Sequence, residues 1–137
     1  MRLLNLNGKL VNKNVSRYII DWDKKSRSKI QFKIKQFFKT YWNGQIVYEE
    51  FPVYGSLLKV DILNATRRIA IEVQGGQHET YNPFFHGTKH GFLKSIKRDI
   101  IKYDWLVANG FKIIEIYEHE VDDVDAAFIK NKFDIDL

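Results

Sequence analysis

The sequence predicts a single α/β domain, one mixed sheet with helices packed on it, whose core runs helix, strand, strand, strand, helix, strand. Three observations predict it. Between Ile46 and Gln74, three short apolar runs are separated only by turn-length gaps, the signature of an antiparallel meander. A long amphipathic stretch then precedes a last apolar run at Phe111–Tyr117, so a crossover helix lets that strand run parallel to its predecessor. Finally, 137 residues, 45% hydrophobic and 15% aromatic, suffice for one core but not for two ordinary ones.

The elements follow in order. Residues 1–24 form an N-terminal extension, where Asn7-Gly8 is a turn signal for a hairpin between Leu3-Leu4-Leu6 and Leu10-Val11. From Ser26 to Trp42, Ile30, Ile34, Phe37, Phe38 and Tyr41 recur at helical spacing, and the lysines are expected on the opposite face. Asn43-Gly44 ends that helix. Ile46–Val53 reads as a strand closed by Pro52, with Tyr54-Gly55-Ser56 as a turn. Strands at Leu57–Leu63 and Arg68–Gln74 are joined by the Asn64–Arg67 turn. Beyond Gly75-Gly76 lies an aromatic loop, then a helix over Gly91–Asn109 whose buried stripe is Phe92, Ile96, Tyr103 and Leu106, flanked by Leu93, Ile100 and Val107. Asn109-Gly110 stops it. The core spans residues 25–120, and the acidic segment 121–137 closes with a short helix over Val121–Lys132.

Charge is unevenly spread. Net charge is +5, but Lys24–Trp42 holds seven Lys/Arg and no acid, while Glu115–Leu137 holds eight acids and two lysines. The other 114 residues carry a net +11. A polyanion, most simply nucleic acid, is the partner this implies. The chain has no cysteine, which excludes disulfides and thiolate zinc sites. No apolar run approaches the roughly 20 residues that span a bilayer, and the N-terminus lacks a signal-type apolar core, so an intracellular protein away from membranes is expected. Walker, dinucleotide-glycine and Gly-x-Ser-x-Gly motifs are absent.

Two carboxylates, Asp61 and Glu72, stand inside apolar strand-like runs. Desolvating an uncompensated carboxylate costs several kcal/mol, so each needs a cation or a hydrogen-bond network. Alternation along the strand places Ile69, Ile71 and Val73 on one face, with Ala70, Glu72 and Gln74 on the other. The short turn then brings Asp61 beside Glu72, where the pair can hold one hard divalent cation. Magnesium, with manganese as a substitute, suits such oxygen donors and keeps waters, one of which can attack a phosphodiester.

Asp61, ten intervening residues, then Glu72-Val73-Gln74 resemble the catalytic hairpin of the PD-(D/E)xK nuclease superfamily, with glutamine in place of the usual lysine. With Gly75-Gly76-Gln77-His78, then Arg98-Asp99 and Lys102 on a helix, then Asn109–Ile116, the chain is similar to the branch containing very-short-patch mismatch-repair endonucleases and related nucleases of phage and mobile elements. The resemblance covers Ile46–Glu120. It implies a restriction-endonuclease-like sheet, metal binding by Asp61 and Glu72 with help from the Val73 carbonyl, and an outlying acid at Glu50 or Glu49. It also allows a phage-encoded protein acting in a host cell. A strand aims only one of two neighbouring glutamates at the metal, and counting from Phe51 and Val53 as core favours Glu50; a solvated edge glutamate is the alternative.

Gln74 cannot act as a cation, though it can orient water or phosphate. His78 has the near-neutral pKa of a proton acceptor, or is a structural loop histidine. Ser95, Arg98 and Lys102 share a helix face that can point toward the hairpin, making Arg98 or Lys102 a phosphate clamp or part of a salt-bridged surface. His78, His86 and His90 do not suggest zinc without cysteine, and Phe84-Phe85 either pack or stack on bases. The expected activity is magnesium-dependent cleavage of DNA, structure-selective or weakly sequence-specific. Lys29 and Lys33 on the first helix, with Lys94, Lys97, Arg98 and Lys102, grip phosphates. The alternatives are a catalytically silent DNA-binding or assembly module, which Gln74 favours, and an RNA-cleaving enzyme. Exposed aromatics would suit a homodimer or a larger nucleic-acid-processing complex.

Overall fold

A computed structural model of the chain describes residues 1–75 and 89–137, with the backbone alone at 89–93 and 95. The N-terminal hairpin pairs β1 (Arg2–Leu4) with β2 (Leu10–Asn12), and Gly8, at φ 79°, supplies the left-handed turn residue. Helix α1 (Lys29–Trp42) begins three residues later than expected, because Ser28 caps it by accepting from the Gln31 amide at 3.1 Å. Strands β3 (Val47–Pro52), β4 (Lys59–Asn64) and β5 (Ile69–Gln74) form the antiparallel meander. Helix α2 (Lys89–Ala108) crosses over to β6 (Lys112–Tyr117), which runs parallel to β5 with Glu72 opposite Glu115. The four-stranded mixed sheet has the order β3-β4-β5-β6. A 3-10 turn at Glu118–Asp123 and helix α3 (Ala126–Phe133) complete the chain.

Helices and hairpin cover both faces of the sheet. On one, Tyr48, Leu63 and Ala70 pack against Leu3 of the hairpin and Trp105 and Leu106 of α2. On the other, Ile62, Ile71 and Ile114 pack against Ile34, Phe38 and Trp42 of α1 and Ile129 of α3. The N-terminal segment is therefore part of the core, pinned to α2 by Trp105 Nε1 donating to the Leu4 carbonyl at 2.6 Å. Among the described residues, no helix is long and apolar enough to cross a membrane.

Three expectations are corrected. Lys35 is not on a solvated helix face: its side chain is wholly buried, because Glu49 of β3 lies behind α1. Tyr41 is 39% exposed and Trp42 fills its place in the core. Ile100 and Val107 are 54% and 65% exposed, since α2 turns Trp105 and Leu106 to the sheet instead. Phe92 and Leu93, predicted in the same stripe, have side chains outside the described residues.

Simple alternation also fails in β3 and β4. Tyr48 and Phe51, three residues apart, join the same cluster, as do Val60 and Leu63. The slip falls at Glu50, whose φ of 52° puts it in the left-handed region, opposite Asp61 in the register. Such irregularities re-aim side chains at the cost of ladder bonds. Here they re-aim two carboxylates.

Candidate active site

The β4–β5 ladder pairs Ile62 with Ile71 and then stops, one residue short of Asp61 and Glu72. Side chains replace the missing ladder bonds. The Asp61 amide donates to Glu72 Oε2 at 3.0 Å, and the Val73 amide donates to Asp61 Oδ2 at 2.8 Å. Each carboxylate thereby satisfies backbone of the other's strand, which holds both acids side by side although they are only 4% and 1% exposed. They line a cleft of about 770 Å³ together with Glu50, Gln74, Arg98 and Lys102.

Cations compensate the pair from two directions. Lys102 of α2 brings Nζ to 2.5 Å from Glu72 Oε1, an oxygen that is otherwise buried without a directed hydrogen bond. Arg27, just before α1, brings Nη2 to 3.3 Å from Asp61 Oδ1 and Nε to 3.9 Å from Glu50 Oε1. Even so, burial first and the Asp61 charge second push the Glu72 carboxyl up to about 8, against the opposing pull of Lys102 and the Asp61 amide. With Lys102 on Glu72 and Arg27 shared between Asp61 and Glu50, three carboxylates have two cations within reach.

Gln74 faces the same side as Glu72 but is tied elsewhere: its Nε2 donates to the Tyr103 hydroxyl at 2.7 Å. Burial, and next the Glu115 carboxylate with which it hydrogen-bonds, hold the Tyr103 phenol far above its ordinary value of 10. Tyr103 thus stays protonated and bridges Gln74 to Glu115.

Both adjacent glutamates are oriented by one amide. Gln31 Nε2, on the buried face of α1, lies 3.0 Å from Glu49 Oε2 and 3.0 Å from Glu50 Oε1. The left-handed turn at Glu50 makes this sharing feasible, so the expectation that neighbouring side chains must point oppositely fails at this position. Glu49 is held by Lys35 at 2.9 Å and Ser26 at 2.6 Å, whereas Glu50 lines the cleft.

Of the sequence-predicted residues, the structure brings together Asp61, Glu72, Glu50, Gln74, Arg98 and Lys102. Lys29, Lys33, Lys94 and Lys97 are exposed but do not line the cleft, and Lys33 is engaged with Asp122. His78, His86, Phe84 and Phe85 lie outside the described residues, as do the side chains of His90 and Ser95. Arg27, Gln31, Tyr103 and Glu115 were missed. Arg27 stood only as one more charge in the basic run, and Glu115 could have been found from its register opposite Glu72 on a parallel neighbour.

The donor set fits a hard divalent cation in its chemistry: two adjacent buried carboxylates, with Lys102 standing on the Glu72 oxygen that has no other partner, in a cleft open to solvent. Among the described residues no group of three His, Cys, Asp or Glu is gathered closely enough to hold a metal, because Glu50 is drawn to Gln31 and Arg27. The assembled element is the Asp61–Glu72 pair.

No protein-family model matches the chain, and no solved structure matches it. Uncharacterized protein 033L of Invertebrate iridescent virus 3 is similar, with 34% identity over 65 residues, 47% of this chain. The matched segment is 34% of the viral protein's length, so the likeness covers about a third of that relative.

Proposed function

We propose that this protein is a magnesium-dependent endonuclease that hydrolyses DNA phosphodiester bonds on a restriction-endonuclease-like fold. The observation that carries the reading is the reciprocal tie between Asp61 and Glu72, which keeps two acids buried and adjacent in a cleft whose lining also includes Arg27, Lys59, Arg98 and Lys102. A carboxyl perturbed by burial beside a second acid in a cleft, as Glu72 is, is characteristic of functional sites. Held by Asp61 and Glu72, with Glu50 as the outlying acid, a magnesium ion would neutralise charge at the phosphate and acidify the attacking water.

The chain's own residues supply the rest. Lys102 stands on Glu72 and offers the ammonium that Gln74 lacks; it is positioned to meet negative charge developing on the phosphate. Gln74, fixed through Tyr103, orients a polar ligand without carrying charge. Arg27 and Arg98, both exposed, flank the acids and hold neighbouring phosphates.

The test is supercoiled plasmid in magnesium or manganese, with the wild type beside Asp61→Ala and Glu72→Ala. Metal-dependent nicking that disappears in both variants is the expected result. Salt-sensitive binding with no cleavage of duplex, branched or single-stranded DNA would instead favour a catalytically silent DNA-binding module. The Gln74–Tyr103 bond and the cations already seated on both acids favour that second reading.

Arg27 separates binding of metal from use of it. Replacing it by glutamine removes a resident cation, so Mn²⁺ binding measured by calorimetry should tighten about three- to tenfold, modest because the arginine side chain is 64% exposed. Cleavage should nevertheless fall, since a phosphate contact is lost. Unchanged metal affinity would show that Arg27 does not compete at this site.

A further inference from the structure

Gln74 lines the same cleft as Asp61 and Glu72 yet is only 4% exposed, so protein rather than solvent decides how its amide is turned. It stands two residues beyond Glu72 on one face of β5, roughly 7 Å along the strand, close enough for both side chains to reach one ion. What the amide offers that ion depends on which arm faces the cleft. Tyr103 decides this. A carboxylate can only accept, so the single hydrogen of the Tyr103 hydroxyl goes to Glu115, which lies opposite Glu72 in the parallel register. The same hydroxyl oxygen is 2.7 Å from Gln74 and has no second hydrogen to give, so the atom facing it must be the amide nitrogen. Tyr103 does not line the cleft. The nitrogen is thereby committed to α2, and the carbonyl oxygen is the arm left for the cleft.

We propose that Gln74 supplies a neutral oxygen ligand to the divalent cation held by Asp61 and Glu72, with Tyr103 and Glu115 as the positioning residues that aim it. The inference rests on the magnesium reading of this site and deepens it. The usual lysine at this position would bring an ammonium; the glutamine, turned this way, brings an electron-pair donor instead. Lys102 already stands on Glu72 at 2.5 Å, so an ammonium from position 74 would be a second cation competing for the same acids. Among the described residues, no three acids or imidazoles gather round one point. Hard cations bind amide carbonyl oxygens as well as carboxylates, so Gln74 adds a third oxygen to the Asp61–Glu72 pair. It does so without a further buried charge, which desolvation would penalise.

The experiment is calorimetric titration of Mn²⁺ into the full chain without DNA, at one fixed pH and ionic strength. Gln74→Leu should weaken Mn²⁺ binding about tenfold, and Gln74→Lys should weaken it further, although lysine is the usual residue here. Gln74→Glu should tighten it about tenfold, because an oxygen stays in place and charge is added. Tyr103→Phe should weaken binding about three- to tenfold in the otherwise wild-type chain. In the Gln74→Glu background the same change should have almost no effect, since a carboxylate presents an oxygen whichever way it is turned. A tyrosine that only supports packing would not show that coupling. Circular dichroism in EDTA checks folding, and where Gln74→Leu does not fold, Gln74→Lys and the Tyr103→Phe cycle decide. Unchanged affinity in Gln74→Leu, tighter binding in Gln74→Lys, or equal weakening by Tyr103→Phe in both backgrounds overturns the ligand while leaving Asp61 and Glu72 as the metal site. A wild type that binds no Mn²⁺, or binds it as tightly after Asp61→Ala, overturns the ligand and the magnesium reading together.

Discussion

Glu72→Gln is expected to lower metal-dependent DNA cleavage about a thousandfold or more, because the lost charge removes stabilisation worth several kcal/mol. The same substitution should change how stability depends on pH. Between the ordinary glutamate value of 4.5 and about 8, the folded protein keeps a proton on Glu72 that the unfolded chain has released. The folded state binds more protons there, so the metal-free wild type should lose stability as pH rises through that window and level off above it. The loss is on the order of a few kcal/mol, since Glu72 is nearly inaccessible to solvent. Urea melts from pH 5 to 9 measure it. In Glu72→Gln this descent should vanish, and magnesium should stabilise the wild type more at pH 8 than at pH 6 because protons compete for the same oxygens. A wild-type melt that is flat across the window would show that Lys102 and the Asp61 amide fully compensate the carboxylate.

Lys35→Met should have the largest effect on stability. The ammonium is wholly buried and donates to Glu49 Oε1 at 2.9 Å and to the Lys24 carbonyl at 2.7 Å. Removing it strands Glu49 behind α1, a cost of about 3–5 kcal/mol, or a fall in Tm of roughly 10–20 °C for a domain of this size. The double variant Lys35→Met/Glu49→Gln should recover most of that, because the penalty comes from the orphaned charge more than from loss of the pair. Thermal melts of the four proteins in the cycle test this. If the single variant melts within a degree or two of wild type, Glu49 has another source of compensation.

Much of the architecture was legible in local pattern. The alternation along Arg68–Gln74, the apolar run closed by proline at Ile46–Val53 and the helical spacing of Ile34 and Phe38 marked elements that the structure contains, because such local patterns record burial and chain breaks. The face shared by Glu72 and Gln74 followed from alternation, and their contacts with Lys102 and Tyr103 of α2 lie on that face. Where the backbone leaves regular geometry, the same logic broke. The left-handed φ at Glu50 let Glu49 and Glu50 share Gln31, and nothing in the two-glutamate string announces it.

By itself the sequence determined the succession of helices and strands and, through the short turn read at Asn64–Arg67, one residue before the turn the structure forms, that Asp61 and Glu72 belong to neighbouring strands. Short-range spacing and chain connectivity are sufficient for both. Only the tertiary structure decided which cations answer those acids: Lys102 from thirty residues downstream, Arg27 from before α1, and Lys35 taken out of solvent to serve Glu49. A charged side chain has no preferred partner until packing sets distances and excludes water, and in a chain with 22 Lys and Arg the pairing cannot be read from composition.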